Sequence, residues 1–266
     1  MSRYLVIILL CIINTLASGQ GIAVSPSRIF FDGEMGQTVS QAITFTNTST
    51  SEFNFVAGMK DWDRDSLGVK VYYNPGSKEN SNVSWLQLSQ NAIQLAPGES
   101  KSVNLTMNIP DDAAKRGQTN SMIFFTQVKE QQGNQKPGFN MNVLLEIGVQ
   151  VYYTPSGLSR GDLEFLAFED RGTTKSAERM VRQMDVKIRN TGQINKDAYV
   201  RFELTNIQTG EEIPIESIAV AMMPQAEQWV RFSLPDDLPS GKFLAVAILD
   251  AGSQYDLKIA EKEITY

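Results

Sequence analysis

Three aspartates at alternate positions, Asp61, Asp63 and Asp65, are the first residues in this 266-residue chain whose types and spacing suggest chemistry. Carboxylates at the first, third and fifth positions open a calcium loop, which also needs glycine at the sixth and glutamate at the twelfth. Here those positions hold Ser66 and Tyr72, so no calcium site is expected. Acid–base chemistry has even less to work with. Histidine is absent, which removes the usual general base near neutral pH and the commonest metal ligand. Cysteine occurs once, at Cys11. There is no glycine-rich phosphate loop and no strong carboxylate constellation. The expectation is a protein that is not an enzyme, with no cofactor and no metal. Asn47-Thr48-Ser49, Asn82-Val83-Ser84 and Asn104-Leu105-Thr106 fit the glycosylation acceptor pattern, but so short a pattern also arises by chance.

The chemistry that remains is backbone recognition, and residues 139–155, FNMNVLLEIGVQVYYTP, are built for it. Met141, Val143, Leu145, Ile147, Val149 and Val151 fall on one parity, and Asn142, Leu144, Glu146, Gly148 and Gln150 on the other. Such alternation marks a strand with one apolar face. A polar, glycine-containing loop precedes it, and Pro155 ends its ladder. The strand can pack on its own core, the ordinary fate of such a pattern, or be offered to a partner.

The elements that position this strand read as β-structure throughout. Residues 22–33 form a first strand interrupted by Pro26, and residues 37–47 a second. Phe53, Phe55, Ala57 and Met59 mark a third, with residues 61–68 as a turn before Val69, Val71 and Tyr73. Val103, Leu105, Met107 and Ile109 alternate cleanly with polar residues, and residues 121–128 are a further strand. The second half repeats the style. Met184, Val186 and Ile188, then Val200, Phe202 and Leu204, then Val230, Phe232 and Leu234 alternate with polar neighbours. Residues 243–249 are apolar on both parities, as in a central strand buried on both faces. Met222, Met223 and Trp229 read as core. Helical periodicity is nearly absent. The fold class is all-β: two tandem immunoglobulin-like β-sandwiches with a cleft between them. The division is 1–19 signal peptide, 20–155 first domain and 156–266 second domain.

Residues 1–19 carry Arg3, an apolar run over 4–13 and a small-residue cleavage site at Ala17-Ser18-Gly19. The apolar run is too short to span a bilayer, and no later run is long enough, so no stable membrane insertion is expected after cleavage. The mature chain is then free of cysteine and must fold on its core alone. The balance of 24 basic and 30 acidic residues gives a net charge of −6, and cleavage of the segment holding Arg3 makes it one more negative. That argues against nucleic acid as a partner.

Several ordered motifs together resemble the periplasmic pilus and fimbrial assembly chaperones of the chaperone–usher pathway. They are residues 28–33, RIFFDG, on the first strand; Asn47 closing the second; Leu95-Ala96-Pro97-Gly98 before the strand of Val103 and Leu105; residues 121–125; and the alternating strand ending in Tyr152-Tyr153-Thr154-Pro155. The likeness covers residues 22–155, while the second half shares only the sandwich pattern. It implies a periplasmic, non-enzymatic chaperone exported through a cleaved signal peptide. Its partners would be protein subunits of a surface fibre, with an outer-membrane usher as a second candidate. Strand 139–151 would be donated to a subunit that lacks its own last strand, with Met141, Val143, Leu145 and Ile147 filling the subunit's groove. A basic pair in the cleft would hold the subunit's terminal carboxylate. Arg28 matches the first member of that pair, but the second, a lysine, falls at Gln150. An amide still donates a hydrogen bond, without the charge-assisted contribution. Lys187 and Arg189 of the second half are candidates to make up the charge. The competing class is a secreted or cell-surface adhesion or wall-binding protein made of two immunoglobulin-like domains.

Overall fold

The computed structural model describes residues 21–128, 144–176 and 179–266. The signal-peptide segment, Met141 and Val143 lie outside them. The strands divide into two β-sandwiches, joined by residues 154–162.

The first sandwich holds β1 (Ile22–Ser25), β2 (Arg28–Phe31), β3 (Thr38–Asn47), β4 (Phe53–Arg64), β5 (Lys70–Tyr73), β6 (Leu86–Leu88), β7 (Ala92–Leu95), β8 (Ser100–Asn108), β9 (Thr119–Gln127) and β10 (Glu146–Tyr153). One sheet runs β1-β3-β8-β6; the other runs β2-β10-β9-β4-β5, with β7 also on β4. Pro26 cannot donate to a ladder, and the chain changes sheets there: β1 pairs with β3 and β2 with β10. The inner faces meet in a core that includes Ile43, Phe45, Phe55, Val103, Leu105, Phe125, Val149 and Val151. These residues alternate along their strands with outward-facing ones, which is what burial of one face of each sheet requires. In β9 nearly every residue is buried, because its two faces meet two clusters. Ile123 and Phe125 join the main core, while Met122 and Phe124 pack with Trp62 and Tyr152 on the opposite face.

The second sandwich holds β11 (Leu163–Ser176), β12 (Arg179–Asn190), β13 (Lys196–Asn206), β14 (Glu212–Pro214), β15 (Ile218–Met222), β16 (Glu227–Ser233), β17 (Lys242–Asp250) and β18 (Lys258–Thr265). Its sheets are β11-β12-β16 and β14-β13-β17-β18, with β15 also on β13. Val186, Ile188, Val200, Phe202, Val230 and Phe232 fill its core.

Three sequence expectations are corrected. Residues 61–64 are not a turn: β4 continues to Arg64, and the turn begins at Asp65, whose carboxylate accepts the backbone N–H groups of Leu67 and Val69. β17 is buried on one face only, with Leu244, Val246 and Ile248 half-buried on the other. Trp229 is half-buried rather than core, with the Arg171 guanidinium 5.0 Å and the Lys187 ammonium 5.8 Å from its ring centre. Of the asparagines in the acceptor pattern, Asn47 and Asn82 are fully buried, in keeping with a chance match.

Asp61 and Asp63 are also structural. Asp61 is buried and accepts hydrogen bonds from the Lys78 backbone N–H at 2.9 Å and the Ser81 hydroxyl at 2.5 Å. Asp63 pairs with the Lys78 ammonium at 3.1 Å. The third carboxylate, Asp65, caps its own turn, so the three do not converge. Among the described residues no group of acidic, histidine or cysteine side chains could hold a metal ion. No helix among them is long and apolar enough to cross a membrane.

Candidate functional site

β10 has two different halves. Its whole length pairs antiparallel with β9, from Glu146 opposite Thr126 to Tyr153 opposite Thr119. On its other side β2 runs parallel, but only from Gln150 opposite Arg28 to Tyr153 opposite Phe31. Among the described residues, residues 146–149 therefore have no strand on that side. An edge of this kind presents unpaired backbone donors and acceptors that can template another strand.

The side chains follow the same division. Val149, Val151 and Tyr153 are buried in the main core, and Ile147 is half-buried against it. Leu145 is 36% exposed and Leu144 55%. Of the four residues expected to enter a partner's groove, Leu145 lies open, Ile147 is partly taken up by its own core, and Met141 and Val143 fall outside the described residues.

Arg28 and Gln150 stand directly opposite each other where the β2–β10 pair begins. Both project from the sheet face opposite the main core. Gln150 is 8% exposed; the Tyr152 hydroxyl donates to its Oε1 at 2.7 Å, and its backbone N–H donates to the Ser27 carbonyl at 3.0 Å. With the carboxamide oxygen engaged, its N–H donors are the polar groups left to face outward. Arg28 Nη1 donates to Asp197 Oδ2, an ion pair that crosses from the first sandwich to the second.

The same face carries groups that sequence patterning did not single out. Tyr152 stacks on Phe30 at 5.1 Å and meets Trp62 edge-on at 6.0 Å. Trp62 Nε1 donates to the Ser121 carbonyl at 3.0 Å, which satisfies its one polar atom. The Arg64 guanidinium lies 5.6 Å and the Lys70 ammonium 5.8 Å from the Trp62 ring centre. Burial pushes the Tyr152 hydroxyl up to about 12, although Arg28 and Arg64 pull the other way. Burial likewise lowers Arg64 and Lys70 from their ordinary values, and neighbouring cations add to the effect on both. Period-two parity from Trp62 to Arg64 and from Lys70 to Tyr72 carried this signal, but reading 61–68 as a turn hid it.

The second sandwich closes one side of this face. Met223 packs with Trp62, Met122, Phe124 and Tyr152, with Ala226 against them. The Trp229 backbone N–H donates to the Ser66 carbonyl at 2.8 Å. Gln118 donates to Asn195 Oδ1 at 2.8 Å and accepts from the Asn195 backbone N–H at 2.6 Å. Lys187 and Arg189, the expected substitutes for a missing lysine, are engaged elsewhere: Lys187 pairs with Glu227 at 2.5 Å and Arg189 with Glu164.

No family model matches the sequence, and no curated protein matches it. Solved structures do. One is from the CsuC–CsuE chaperone–tip adhesion subunit pre-assembly complex of the archaic chaperone–usher Csu pili of Acinetobacter baumannii; identity is 12% over 91% of this chain and 97% of that one, with a TM-score of 0.47. The CupB2 chaperone of Pseudomonas aeruginosa is 11% identical over 91% of this chain and 100% of its own, with a TM-score of 0.43. A chain from the Salmonella enterica SafA pilin–SafB chaperone complex is 11% identical over 94% of this chain and 98% of that one, with a TM-score of 0.43.

Proposed function

We propose that this protein is an exported chaperone that caps subunits of a surface fibre by lending them the first half of β10, with Arg28 and Gln150 receiving the subunit's C-terminal carboxylate. The observation that carries this is the one-sided pairing of residues 146–149, directly beside the Arg28–Gln150 pair.

The polarity of the bound strand follows from charge. β2 runs parallel to β10 and starts at Arg28, so it occupies the lane that the open edge leaves vacant further back. A partner strand entering that lane parallel to β10 would end next to Arg28 and present its terminal carboxylate there. A strand running the other way would bring its terminal ammonium to the same place. Arg28, with Arg64 and Lys70 on the same face, attracts the first and repels the second. Backbone pairing supplies sequence-tolerant affinity, and the carboxylate fixes the register, because a one-residue slip would move the charge away and turn every side chain over. The binding reaction breaks no covalent bond, in keeping with a chain that contains no histidine. Release in the periplasm to an outer-membrane usher completes the proposed cycle.

The test is site-specific photocrosslinking. A photoreactive residue replaces Leu145 in the full chain expressed in its own cells, and crosslinked peptides are identified by mass spectrometry. The expected product joins position 145 to the C-terminal strand of an exported fibre subunit, and Arg28→Ala reduces its yield severalfold. Crosslinks confined to the chain itself, or to segments far from any free C-terminus, would overturn the proposal.

A further inference from the structure

Four cations of this acidic protein share one sheet face. Across the β2-β10-β9-β4-β5 sheet, register puts Arg28, Lys60, Arg64 and Lys70 on the face away from the main core. Among the described positions of that face, Glu146 is the acidic residue, and it lies at the far end of β10 and accepts a hydrogen bond from Thr126.

Arg64 and Lys70 are direct cross-strand partners at the end of the β4–β5 hairpin. Like charges directly opposite each other weaken a sheet, so this pair carries a cost that a bound anion would relieve. Arg64 is held in place: its Nη1 donates to the Gly68 carbonyl at 2.5 Å, while its buried Nε has no partner. Lys70 has more freedom. Its ammonium rests near the Trp62 ring, and among the described residues the charged groups acting on it are both cations, Arg64 and Arg28. The carboxylate that acts on Arg64 is Asp197, the same one that pairs with Arg28.

We propose that Lys70, backed by Arg64, supplies the second cation for the partner's terminal carboxylate, the charge that Gln150 cannot provide. This rests on the carboxylate anchor of the function proposed above and names the residue that completes it. Buried Tyr152 and Trp62, in contact with each other and with Phe30, form an apolar floor beside Arg28 and the Lys70 ammonium, and such a floor strengthens an ion pair made on it. Burial is the main reason Lys70 holds its proton less tightly than usual, and Arg64 and Arg28 add to it; that smaller, cationic part is what a bound anion would offset.

The probe is a short fluorescein-labelled peptide of alternating valine and threonine, prepared with a free C-terminal carboxylate and as its C-terminal amide. Both are titrated against the full exported chain by fluorescence anisotropy. The wild-type chain should prefer the free acid by about tenfold, the range of a charge-assisted hydrogen bond. Lys70→Gln should lower that preference severalfold without changing amide binding, and Lys70→Arg should restore it. Lys70 lies outside the buried core clusters, so circular dichroism and the melting temperature of Lys70→Gln should match wild type. Full acid preference in Lys70→Gln together with its loss in Arg28→Ala would overturn the role of Lys70 and leave the proposed function standing. Equal binding of acid and amide by the wild-type chain, or binding of neither, would overturn the proposed function and the role of Lys70 with it.

Discussion

The two sandwiches close β3 and β12 with the same device, and then one outer sheet face of each treats charge in the opposite way. In the first, Asn47 is fully buried; its amide donates to the Ser51 carbonyl at 2.7 Å and the Ala96 carbonyl at 3.0 Å, and its Oδ1 accepts the Ser49 N–H at 3.0 Å. In the second, Asn190 is equally buried; its amide donates to the Ile194 carbonyl at 2.8 Å and the Met223 carbonyl at 3.0 Å, and its Oδ1 accepts the Gly192 N–H at 2.9 Å. The outer surfaces then diverge. On the β11-β12-β16 sheet, Arg171, Arg182, Lys187, Arg189 and Arg231 each have a carboxylate of the same sheet within reach. On the first sandwich, Arg64 and Lys70 take part in none of the ion pairs among the described residues, and Arg28 draws its partner from the other domain. Charges paired within a sheet serve the fold, whereas Arg64 and Lys70, unpaired on the same sheet face as Arg28, are available to a ligand.

The largest effect separates the two halves of β10. Val151→Asp places an unpaired charge in the first core and should cost more than about 4 kcal/mol, enough to unfold that sandwich. Leu145→Asp lies on the open half and should cost under about 1 kcal/mol while abolishing capture of the alternating peptide. Urea unfolding and anisotropy on the two variants measure both. Strong destabilisation by Leu145→Asp would mean that the open half belongs to the home core after all.

Asn47→Ala and Asn190→Ala should each cost about 3 kcal/mol, because several buried backbone groups lose their partners at once. Proteolysis under mild urea distinguishes them: each variant should expose its own sandwich first. Simultaneous loss of both would show that the contacts at Met223, Ser66 and Gln118 weld the two into one cooperative unit.

Much of the fold was legible because half-buried strands reveal themselves by alternation. Met184, Val186 and Ile188 show this, as do Val200, Phe202 and Leu204, and all six are buried in the second core. Polar strands were not legible. β11 and β12 run as paired arms over residues 169–176 and 179–185 with few apolar residues, and Asp170–Arg182 and Arg171–Asp185 hold the arms in register instead. The end of β4 was hidden for the same reason, since Asp61, Asp63 and Arg64 resemble a turn when their partners are unknown. Of the proposed site, Arg28 and Gln150 were named from their motif, and the strand register sets them opposite each other. Arg64 and Lys70 were not found, because four cations spread over residues 28–70 share a face only once the order of the strands is fixed.

The smallest effect concerns Asp197. Its side chain is 56% exposed and that of Arg28 34%, so solvent screens the pair and Asp197→Asn should change stability by less than about 1 kcal/mol. Its effect on binding should be larger, because the carboxylate occupies the guanidinium that the partner's terminus would use. Removing it frees Arg28 and lowers the negative potential near Arg64, so the free-acid peptide should bind severalfold more tightly and the amide no differently. Raising the salt concentration should narrow the difference, since exposed charges are screened. Tighter binding of acid and amide alike would assign Asp197 to opening the cleft rather than to competing for the anchor. Weaker acid binding would show that Asp197 positions Arg28 and that the two act together.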